Sequence, residues 1–268
     1  LKSMTSQTSP GTLYIVATPI GNLEDMTVRA VKTLTEVDLI AAEDTRHSRR
    51  LLDHYQIQTR MISCHEHNET ARAKGLIDQL NCGKNIALIS DAGTPCISDP
   101  GYFLVSEAAK AGIAVVPIPG CNAAAAALSV SGLPTDSFFF MGFPPRKKQK
   151  QQQAISRLSR LSATLIFYES PRRISAFVAV LIDILGNRMA CLGREITKLH
   201  EEYLRGTLSE IYDTLETRGV IKGECTLLVQ GASDTPPVVG DEHLRQILIQ
   251  RMAETDMRTS RLAKAVAE

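Results

Sequence analysis

The side chains best suited to chemistry in this 268-residue sequence form two groups, each placed directly after a short apolar segment. Carboxylates and imidazoles in these groups could act as a general base or orient one, and an arginine and an asparagine could position a sugar or a phosphate. The alternative is a solvated loop with helix-capping carboxylates, of which Asp44 is an example. Their position after two successive apolar segments favours the functional interpretation. The candidate catalytic residues are Glu43, Asp44, Arg46, His65, Glu66 and Asn68.

Metal and nucleotide motifs are weak or absent in the sequence. His65 and His67 flank Glu66, but there is no H-E-x-x-H spacing and no evident third ligand, so we expect no metal. Neither G-x-G-x-x-G nor G-x-x-x-x-G-K-[ST] occurs, which excludes the usual dinucleotide fingerprint and the Walker A loop. A ligand derived from a nucleotide would therefore need a different loop.

A polar loop at residues 90–101, which read SDAGTPCISDPG, is the densest candidate for ligand binding. It follows a predicted buried strand and leads into a helix, so its backbone donors and short side chains would lie at one sheet edge. Two ordinary turns would have a similar composition, but two successive Asp-containing turns exceed what a strand-to-helix connection requires. Residues 18–23 and 117–123 form similar loops, and the second enters an alanine run. That run suits either a helix N-terminus near an anionic group or close packing of a helix on a sheet.

Basic residues are concentrated in the second half of the chain. Between residues 146 and 160 there are six Lys or Arg and no acidic residue. A charge run is usually a solvated helix face, but the absence of carboxylates over this span favours phosphate contacts. The net charge of +1 conceals this stretch, although it argues against a uniformly basic coat protein. The candidate phosphate-contacting residues are Arg146, Lys147, Lys148, Lys150, Arg157, Arg160, Arg172 and Arg173.

Short apolar segments alternate with amphipathic ones through the first half of the chain, which predicts parallel strands separated by helices. In such a sheet, ligands bind beyond the carboxyl ends of the strands, where the candidate loops would lie. The predicted strands cover residues 13–17, 38–42, 60–64, 85–90 and 113–118, and the predicted helices cover residues 27–34, 48–55, 69–80 and 102–111.

The second half predicts a smaller sheet with mixed strand directions. We therefore expect an α/β protein with domains at residues 11–132 and 133–232, then a linker and the start of a helical tail at 233–268. The predicted strands cover residues 137–143, 164–168, 188–194, 203–206 and 224–230, and the predicted helices cover residues 147–161, 172–185, 208–217, 241–253 and from 260 onward.

Composition describes a soluble globular protein of about two domains, since 44% of the residues are hydrophobic and 22% are charged. The six cysteines are scattered through apolar runs without a C-x-x-C pair, which favours reduced, buried thiols in the cytoplasm. Residues 1–11 are polar, and Pro117, Pro119 and Gly120 interrupt the most apolar stretch. We therefore expect neither export nor a membrane span.

Six motifs, in order along the chain, resemble those of one known family. They are YIVATPIGNL (14–23), AEDTR (42–46), the loop at 90–101, LIFYES (165–170), GREITK (193–198) and KGE (222–224). Over residues 11–231 the chain resembles the bacterial 16S ribosomal RNA cytidine 2′-O-ribose methyltransferases, a branch of the tetrapyrrole methylase superfamily. The resemblance implies two α/β domains of the class III type, S-adenosylmethionine bound in the cleft between them, and a homodimer. The substrate would be 16S rRNA, whose phosphates the basic stretch would contact.

The resemblance also assigns the cofactor-binding residues. The relatives usually have Pro-Gly-Pro-Ser or Pro-Gly-Pro-Cys where this chain has PGCN at residues 119–122. We expect the backbone contacts of this loop to persist, whereas a hydroxyl contact is not available to Asn122. The assigned residues are Pro19, Ser90, Asp91, Ala92, Gly93, Ile97, Asn122, Ala123, Tyr168, Gly223, Glu224 and Cys225.

Three functions are open at this point. The first is methyl transfer from S-adenosylmethionine to a ribose hydroxyl, in which the protein aligns the reactants and one of the candidate catalytic residues withdraws a proton. The second keeps the fold and cofactor but acts on a tetrapyrrole, which needs an apolar cleft and no basic stretch. The third is a non-catalytic RNA-binding assembly factor that has lost cofactor affinity. The ordered motifs and the acid-free basic stretch favour the first.

Overall fold

Two five-stranded sheets organise the part of the chain that the computed structural model describes, residues 9–219 and 221–233. Both sheets lie in one compact unit that ends at Gly231. The helices predicted at residues 241–253 and from 260 onward lie outside the described residues. No helix within the described ranges is both long and apolar enough to cross a membrane.

The first sheet is entirely parallel, which confirms the α/β prediction for this half of the chain. Its strands are β1 (Thr12–Val16), β2 (Leu39–Ala42), β3 (Met61–Ser63), β4 (Ile86–Ile89) and β5 (Ala114–Ile118). The helices that follow them are α1 (Val28–Glu36), α2 (Thr45–His54), α3 (Glu69–Asn81), α4 (Tyr102–Lys110) and α5 (Ala123–Ser131). The strand order is β3-β2-β4-β1-β5, and because all five run in one direction their carboxyl ends meet at a single edge.

Apolar residues on both faces of the strands explain why helices cover this sheet on both sides. In β2, Ile40 packs in a layer with α1 and α2, whereas the adjacent Ala41 packs in a layer with α3 and α4. The alternation follows from the two-residue period of a strand, which points successive side chains to opposite faces. Strand β4 is buried along its whole length, so the loop after it starts from a rigid base.

The second sheet has mixed strand directions, as the sequence predicts. Its strands are β6 (Phe138–Gly142), β7 (Thr164–Glu169), β8 (Met189–Arg194), β9 (Glu202–Thr207) and β10 (Cys225–Val229). The order is β6-β7-β10-β8-β9, in which only the β6 and β7 pair is parallel. The helices of this half are α6 (Lys148–Ser156), α7 (Ile174–Leu185) and α8 (Leu208–Arg218).

Helix α6 is shorter than the helix predicted at residues 147–161. It ends at Ser156, and in the turns that follow, the Leu158 N–H donates to the Ile155 carbonyl at 2.9 Å. The Leu161 N–H donates to the Leu158 carbonyl at 3.0 Å. These bonds span three residues and wind the chain more tightly than an α-helix. The tighter path brings Leu158 into the core of the second sheet.

Helix α5 joins the two sheets. It follows β5 in the chain, but Ala127 and Leu128 pack in one cluster with Ile166 of β7 and Leu228 of β10. The opposite face of the second sheet is covered by α7 and α8. The alanines of α5 therefore serve close packing on a sheet, one of the two interpretations that the sequence left open, because small side chains let the helix approach the strands.

The packing of α5 predicts a difference between two residues of that helix. Leu128→Ala should lower the free energy of unfolding by about 2–4 kcal/mol, because it removes a buried side chain and leaves a cavity between helix and sheet. Val130→Ala, on the same helix with 43% of the residue exposed, should cost under about 1 kcal/mol. Urea unfolding measures both, and equal losses would contradict the proposed role of α5.

Candidate active site

Loops from both sheets enclose a cavity of about 350 Å³ at the carboxyl edge of the first sheet, named here the first cavity. Ten of the twelve residues that the resemblance assigns to a cofactor line it. They are Asp91, Ala92, Gly93, Ile97, Asn122, Ala123, Tyr168, Gly223, Glu224 and Cys225. Residues from distant parts of the sequence therefore line one cavity.

The floor of the first cavity is made by three loops that hydrogen-bond to one another. The Thr18 N–H donates to the Gly93 carbonyl at 2.9 Å, and the Gly93 N–H donates back to the Thr18 carbonyl at 3.0 Å. The Thr94 hydroxyl donates to the Cys121 carbonyl at 3.0 Å. Gly93 has a φ of +84°, which glycine adopts without strain. The loops after β1, β4 and β5 are thus held in one fixed arrangement.

The loop after β4 is also strained. Cys96 and Ser98 both have a φ of +70°, a conformation that side-chain-bearing residues adopt at a cost of order 1 kcal/mol or more. Gly101 closes the loop with a φ of +126°, and a Cβ there would lie 2.6 Å from Leu88 Cδ2. The succession of Gly, Pro and Asp in SDAGTPCISDPG is therefore needed for the path of the backbone as well as for its polar groups.

Carboxyl groups from two loops meet at the first cavity. The Asp91 N–H donates to Glu43 Oε2 at 3.3 Å, and the Asp44 N–H donates to Asp91 Oδ1 at 3.2 Å. Burial raises the pKa of Glu43, the bond from the Asp91 N–H opposes that rise, and the negative charge of Asp91 adds to it. Glu43, a predicted catalytic residue, thus lies in the same cavity as the predicted cofactor residues.

Asp99 is a functional candidate that the sequence did not single out. It lines the first cavity, where burial raises its pKa to about 6 and the negative charge of Glu43 adds to the rise. A carboxyl group that titrates near neutrality in a cavity is typical of a functional site. Its place in the loop at residues 90–101 was the available signal. Together with Glu43 and Asp91, it makes the cavity suited to a cation, although no three metal-ligating side chains converge within the described ranges.

His65 and Asn68 contact each other outside the first cavity. Asn68 Oδ1 accepts from the His65 N–H at 2.9 Å, which fixes the orientation of the amide. Its Nδ2 then lies 3.0 Å from His65 Nε2. The charge of His65 lowers the pKa of Glu43, which places the imidazole close enough to act on that carboxyl group.

The remaining candidate catalytic residues lie away from the first cavity. Asp44 caps α2 by accepting from the Arg46 N–H at 2.8 Å, which is why the helix begins at Thr45 rather than at the predicted Ser48. The hydrogen bond from the Arg46 side chain lowers the pKa of Asp44 to about 2. Arg46 is 91% exposed, and Glu66 is also exposed. Asp44 therefore matches the alternative interpretation, a carboxylate that caps a helix.

Pro19 and Ser90 line a neighbouring cavity of about 340 Å³, named here the second cavity. The two cavities share Ile20, Asp91, Ala92 and Glu224 as a common wall. Basic side chains also line the second cavity, and they are His47, Arg50 and Lys198. The loop after β4 therefore faces a cavity on each of its two sides.

Helix α5 begins at the first cavity with a cap that explains the departure at Asn122. Asn122 Oδ1 accepts from the Ala125 N–H at 3.1 Å, the bond that a serine at this position would also make. The Tyr168 hydroxyl accepts from the Ala124 N–H at 3.1 Å. Asn122 thus caps α5 at the edge of the first cavity.

An ion-pair network around Lys198 holds the loop after β8 against the cavity wall. Lys198 Nζ lies 2.9 Å from Glu195 Oε1 and 3.1 Å from Glu224 Oε2. A Cβ at Gly223 would lie 2.4 Å from the Glu195 carboxyl carbon, and one at Gly21 would lie 2.3 Å from Lys198 Cγ. The motif at residues 193–198 had no assigned role in the sequence, and the structure shows that it packs against the loop after β1.

The predicted phosphate-contacting residues lie outside both cavities. The six between residues 146 and 160 are all exposed, and none forms an ion pair within the described part of the chain. Arg172 is exposed as well. Arg173 differs, since its Nε donates to Glu169 Oε1 at 2.8 Å and its charge offsets that of a buried carboxylate.

Comparison with known proteins identifies the family. Residues 12–212 match the family described as Tetrapyrrole (Corrin/Porphyrin) Methylases. A protein of Halalkalibacterium halodurans named Ribosomal RNA small subunit methyltransferase I is 56% identical over 221 residues, which are 82% of this chain and 76% of that protein. A Synechocystis protein of the same name is 48% identical over 96% of this chain and 92% of its own length.

Solved structures share the fold at low sequence identity. Uroporphyrin-III C-methyltransferase from Thermus thermophilus, complexed with S-adenosylhomocysteine, has a TM-score of 0.58 at 16% identity and covers 82% of this chain and 97% of its own. Diphthine synthase has a TM-score of 0.65 at 16% identity, with coverages of 88% and 95%. The fold and the resemblance inferred from the motifs are thereby confirmed. This chain belongs to the tetrapyrrole methylase family, among the members named Ribosomal RNA small subunit methyltransferase I.

Proposed function

We propose that this protein transfers a methyl group from S-adenosylmethionine to the ribose 2′-hydroxyl of a cytidine in 16S ribosomal RNA. The observation that carries the proposal is the identity of 43–56% to relatives named Ribosomal RNA small subunit methyltransferase I. Five of the six motifs contribute residues to the first cavity, which supports it. The 2′-oxygen and the cytidine come from the resemblance of the motifs.

The residues of the first cavity fit S-adenosylmethionine, which supplies the methyl group on a sulfonium cation. Glu43, Asp91 and Asp99 place negative charge where a cation would be stabilised. Ile20 and Ile97 offer apolar surface to an adenine ring. The remaining residues that would hold the cofactor are Ala92, Gly93, Asn122, Ala123, Tyr168, Gly223, Glu224 and Cys225.

Glu43 is the base that this geometry favours. A ribose hydroxyl is a weak nucleophile until its proton is withdrawn, and efficient bases have pKa values near the working pH. Burial raises the pKa of Glu43, and the Asp91 N–H holds its carboxylate in place. His65, oriented by Asn68, stabilises the charge of Glu43 from outside the cavity. Asp44 and Glu66 do not line the first cavity. Of the four candidate bases, Glu43 and His65 therefore remain.

RNA would be held by the exposed basic stretch at residues 146–160. Its six cations have no acidic partner within the described residues, so they are available to phosphates. We also propose that the protein acts as a homodimer in the cytoplasm. The apolar side chains that the edge strand β6 exposes, Phe138 and Phe139, support a partner surface.

Nucleoside analysis tests the proposed function directly. The purified protein is incubated with S-adenosylmethionine carrying a labelled methyl group and with small ribosomal subunits that lack the modification. We expect label in 2′-O-methylcytidine. Label in a base would contradict the ribose assignment, and a change of visible absorbance on adding a porphyrinoid would favour the tetrapyrrole alternative. Absence of S-adenosylmethionine binding in calorimetry would favour the non-catalytic alternative.

Replacing the proposed base should lower kcat without weakening the binding of the cofactor product, S-adenosylhomocysteine. Glu43→Gln keeps the shape of the side chain and its acceptor for the Asp91 N–H but cannot take a proton at neutral pH. We expect kcat to fall by about 10²- to 10⁴-fold while the Kd of S-adenosylhomocysteine, which lacks the sulfonium charge, changes less than about threefold. Asp213→Asn, at an exposed position on α8, is the control. An unchanged kcat in Glu43→Gln would eliminate Glu43 as the base.

The carboxyl group of Asp99 should make cofactor affinity depend on pH. Its pKa of about 6 means that it is mostly neutral at pH 5 and mostly charged at pH 7.5. A sulfonium cation gains from the charged form, whereas the neutral thioether of S-adenosylhomocysteine does not. We expect the ratio of the two dissociation constants to favour S-adenosylmethionine at least about threefold more at pH 7.5 than at pH 5. Calorimetry measures the ratio, which Asp99→Asn should flatten; an equally steep ratio in that variant would refute the assignment.

The division between cofactor and RNA surfaces predicts a separable defect. Lys147→Glu with Lys148→Glu should weaken RNA binding at least about tenfold and leave the affinity for S-adenosylmethionine unchanged. The matched control, Lys74→Glu with Lys84→Glu, makes the same charge change at exposed positions of the first half. Equal loss of RNA affinity in both variants would show that only the net charge matters.

A further inference from the structure

The second cavity has an environment unlike that of the first. Asp91 and Ala92 belong to the wall between them, so groups placed on the two sides of that wall would lie close together. The first cavity is acidic, whereas the second gains basic side chains from α2 and from the loop after β8. No residue of the predicted phosphate-contacting set lines it.

The available positive charge of the second cavity comes from α2. His47 and Arg50 are three residues apart and therefore share one face of the helix, and both are exposed and line the cavity. Neither side chain pairs with an acidic group within the described residues. Lys198 contributes less, because Glu195 and Glu224 already neutralise it.

One hydroxyl group in the lining of the second cavity also lacks a hydrogen-bond partner among the described residues. Ser48 lies on α2 between the two basic residues and lines the second cavity. It is 2% exposed, and its hydroxyl oxygen has no hydrogen-bond partner among the described residues. A buried hydroxyl without a partner is uncommon in proteins, because it costs free energy. A cavity that combines the unpaired guanidinium of Arg50 with an unsatisfied hydroxyl suits a phosphorylated sugar.

We propose that the second cavity receives the nucleotide to be methylated, with Arg50 and His47 contacting the phosphate next to its ribose. This inference rests on the proposed function and adds to it the place of the acceptor. The nucleotide would extend from the second cavity past Asp91 and Ala92, so that its ribose hydroxyl meets the methyl group in the first cavity, where Glu43 lies. The basic stretch at residues 146–160 would then hold RNA farther from the reacting nucleotide.

Adjacent arginines on α2 provide a matched test. Arg50 lines the second cavity, whereas Arg49 is also exposed and lines neither cavity. Arg50→Gln and Arg49→Gln remove the same charge from neighbouring positions, and Arg50→Lys keeps the charge while losing the planar fork. The measurements are the KM for small ribosomal subunits, the dependence of RNA affinity on salt, and the Kd of S-adenosylmethionine.

Arg50→Gln should raise the KM for the subunit about tenfold and reduce the slope of log affinity against log salt by about one. Arg50→Lys should recover most of the affinity, and Arg49→Gln should stay within about twofold of the wild type. The Kd of S-adenosylmethionine should be the same in all variants, which also shows that they fold.

Several results would overturn the assignment. Equal effects of Arg49→Gln and Arg50→Gln would mean that α2 attracts RNA only through its overall positive charge. A weaker affinity for S-adenosylmethionine in Arg50→Gln would assign the second cavity to the cofactor. Normal methylation by the wild type with an unchanged KM in Arg50→Gln would remove this inference and leave the proposed function standing. A wild type that does not methylate RNA would remove both.

Discussion

The packing of α5 on the second sheet is the contact on which the rest of the molecule depends. The helix belongs to the first half of the chain by sequence and to the second sheet by contact, through Leu128 and its alanines. Because its N-terminus carries Asn122 and Ala123, the same packing sets where the wall of the first cavity stands. The Tyr168 hydroxyl, accepting from the Ala124 N–H, ties β7 to that point. The two sheets could not present a common site if this helix were loosely held.

Separation of charge is the second organising feature. The net charge of +1 conceals a carboxylate-lined cavity and two basic surfaces, one on α2 and one at residues 146–160. Opposite charges at such short range would pair if the backbone allowed it, as Arg46 does with Asp44. The strained loop after β4 instead holds Asp91 and Asp99 at the first cavity, and the Asp91 N–H holds the Glu43 carboxylate there. These carboxyl groups suit a cationic ligand in the first cavity. Arg50 suits a phosphate in the second.

Much of the architecture could be predicted because its signals are local. Strands such as β2 and β4 are continuous apolar runs, and their burial on both faces requires that pattern. Helix ends were less predictable. The helix from Lys148 stops at Ser156 because Leu158 is drawn into the core, and α2 starts at Thr45 because Asp44 caps it. These outcomes depend on tertiary packing and on one side-chain bond, which periodicity does not report.

The amino-acid sequence by itself determined the fold class, the parallel and mixed sheets, and the loops that carry the site, because apolar periodicity and turn residues act over short distances. It also carried the family resemblance, since the short motifs and their order can be recognised from the sequence alone. Only the tertiary structure decided which charged residues face a cavity. It joined Glu43 to Asp91 and Asp99, set Asp44 and Arg46 on the surface, and placed Arg50 beside the shared wall. The reason is physical: a side chain's direction and its neighbours are fixed by contacts between segments that are far apart in sequence.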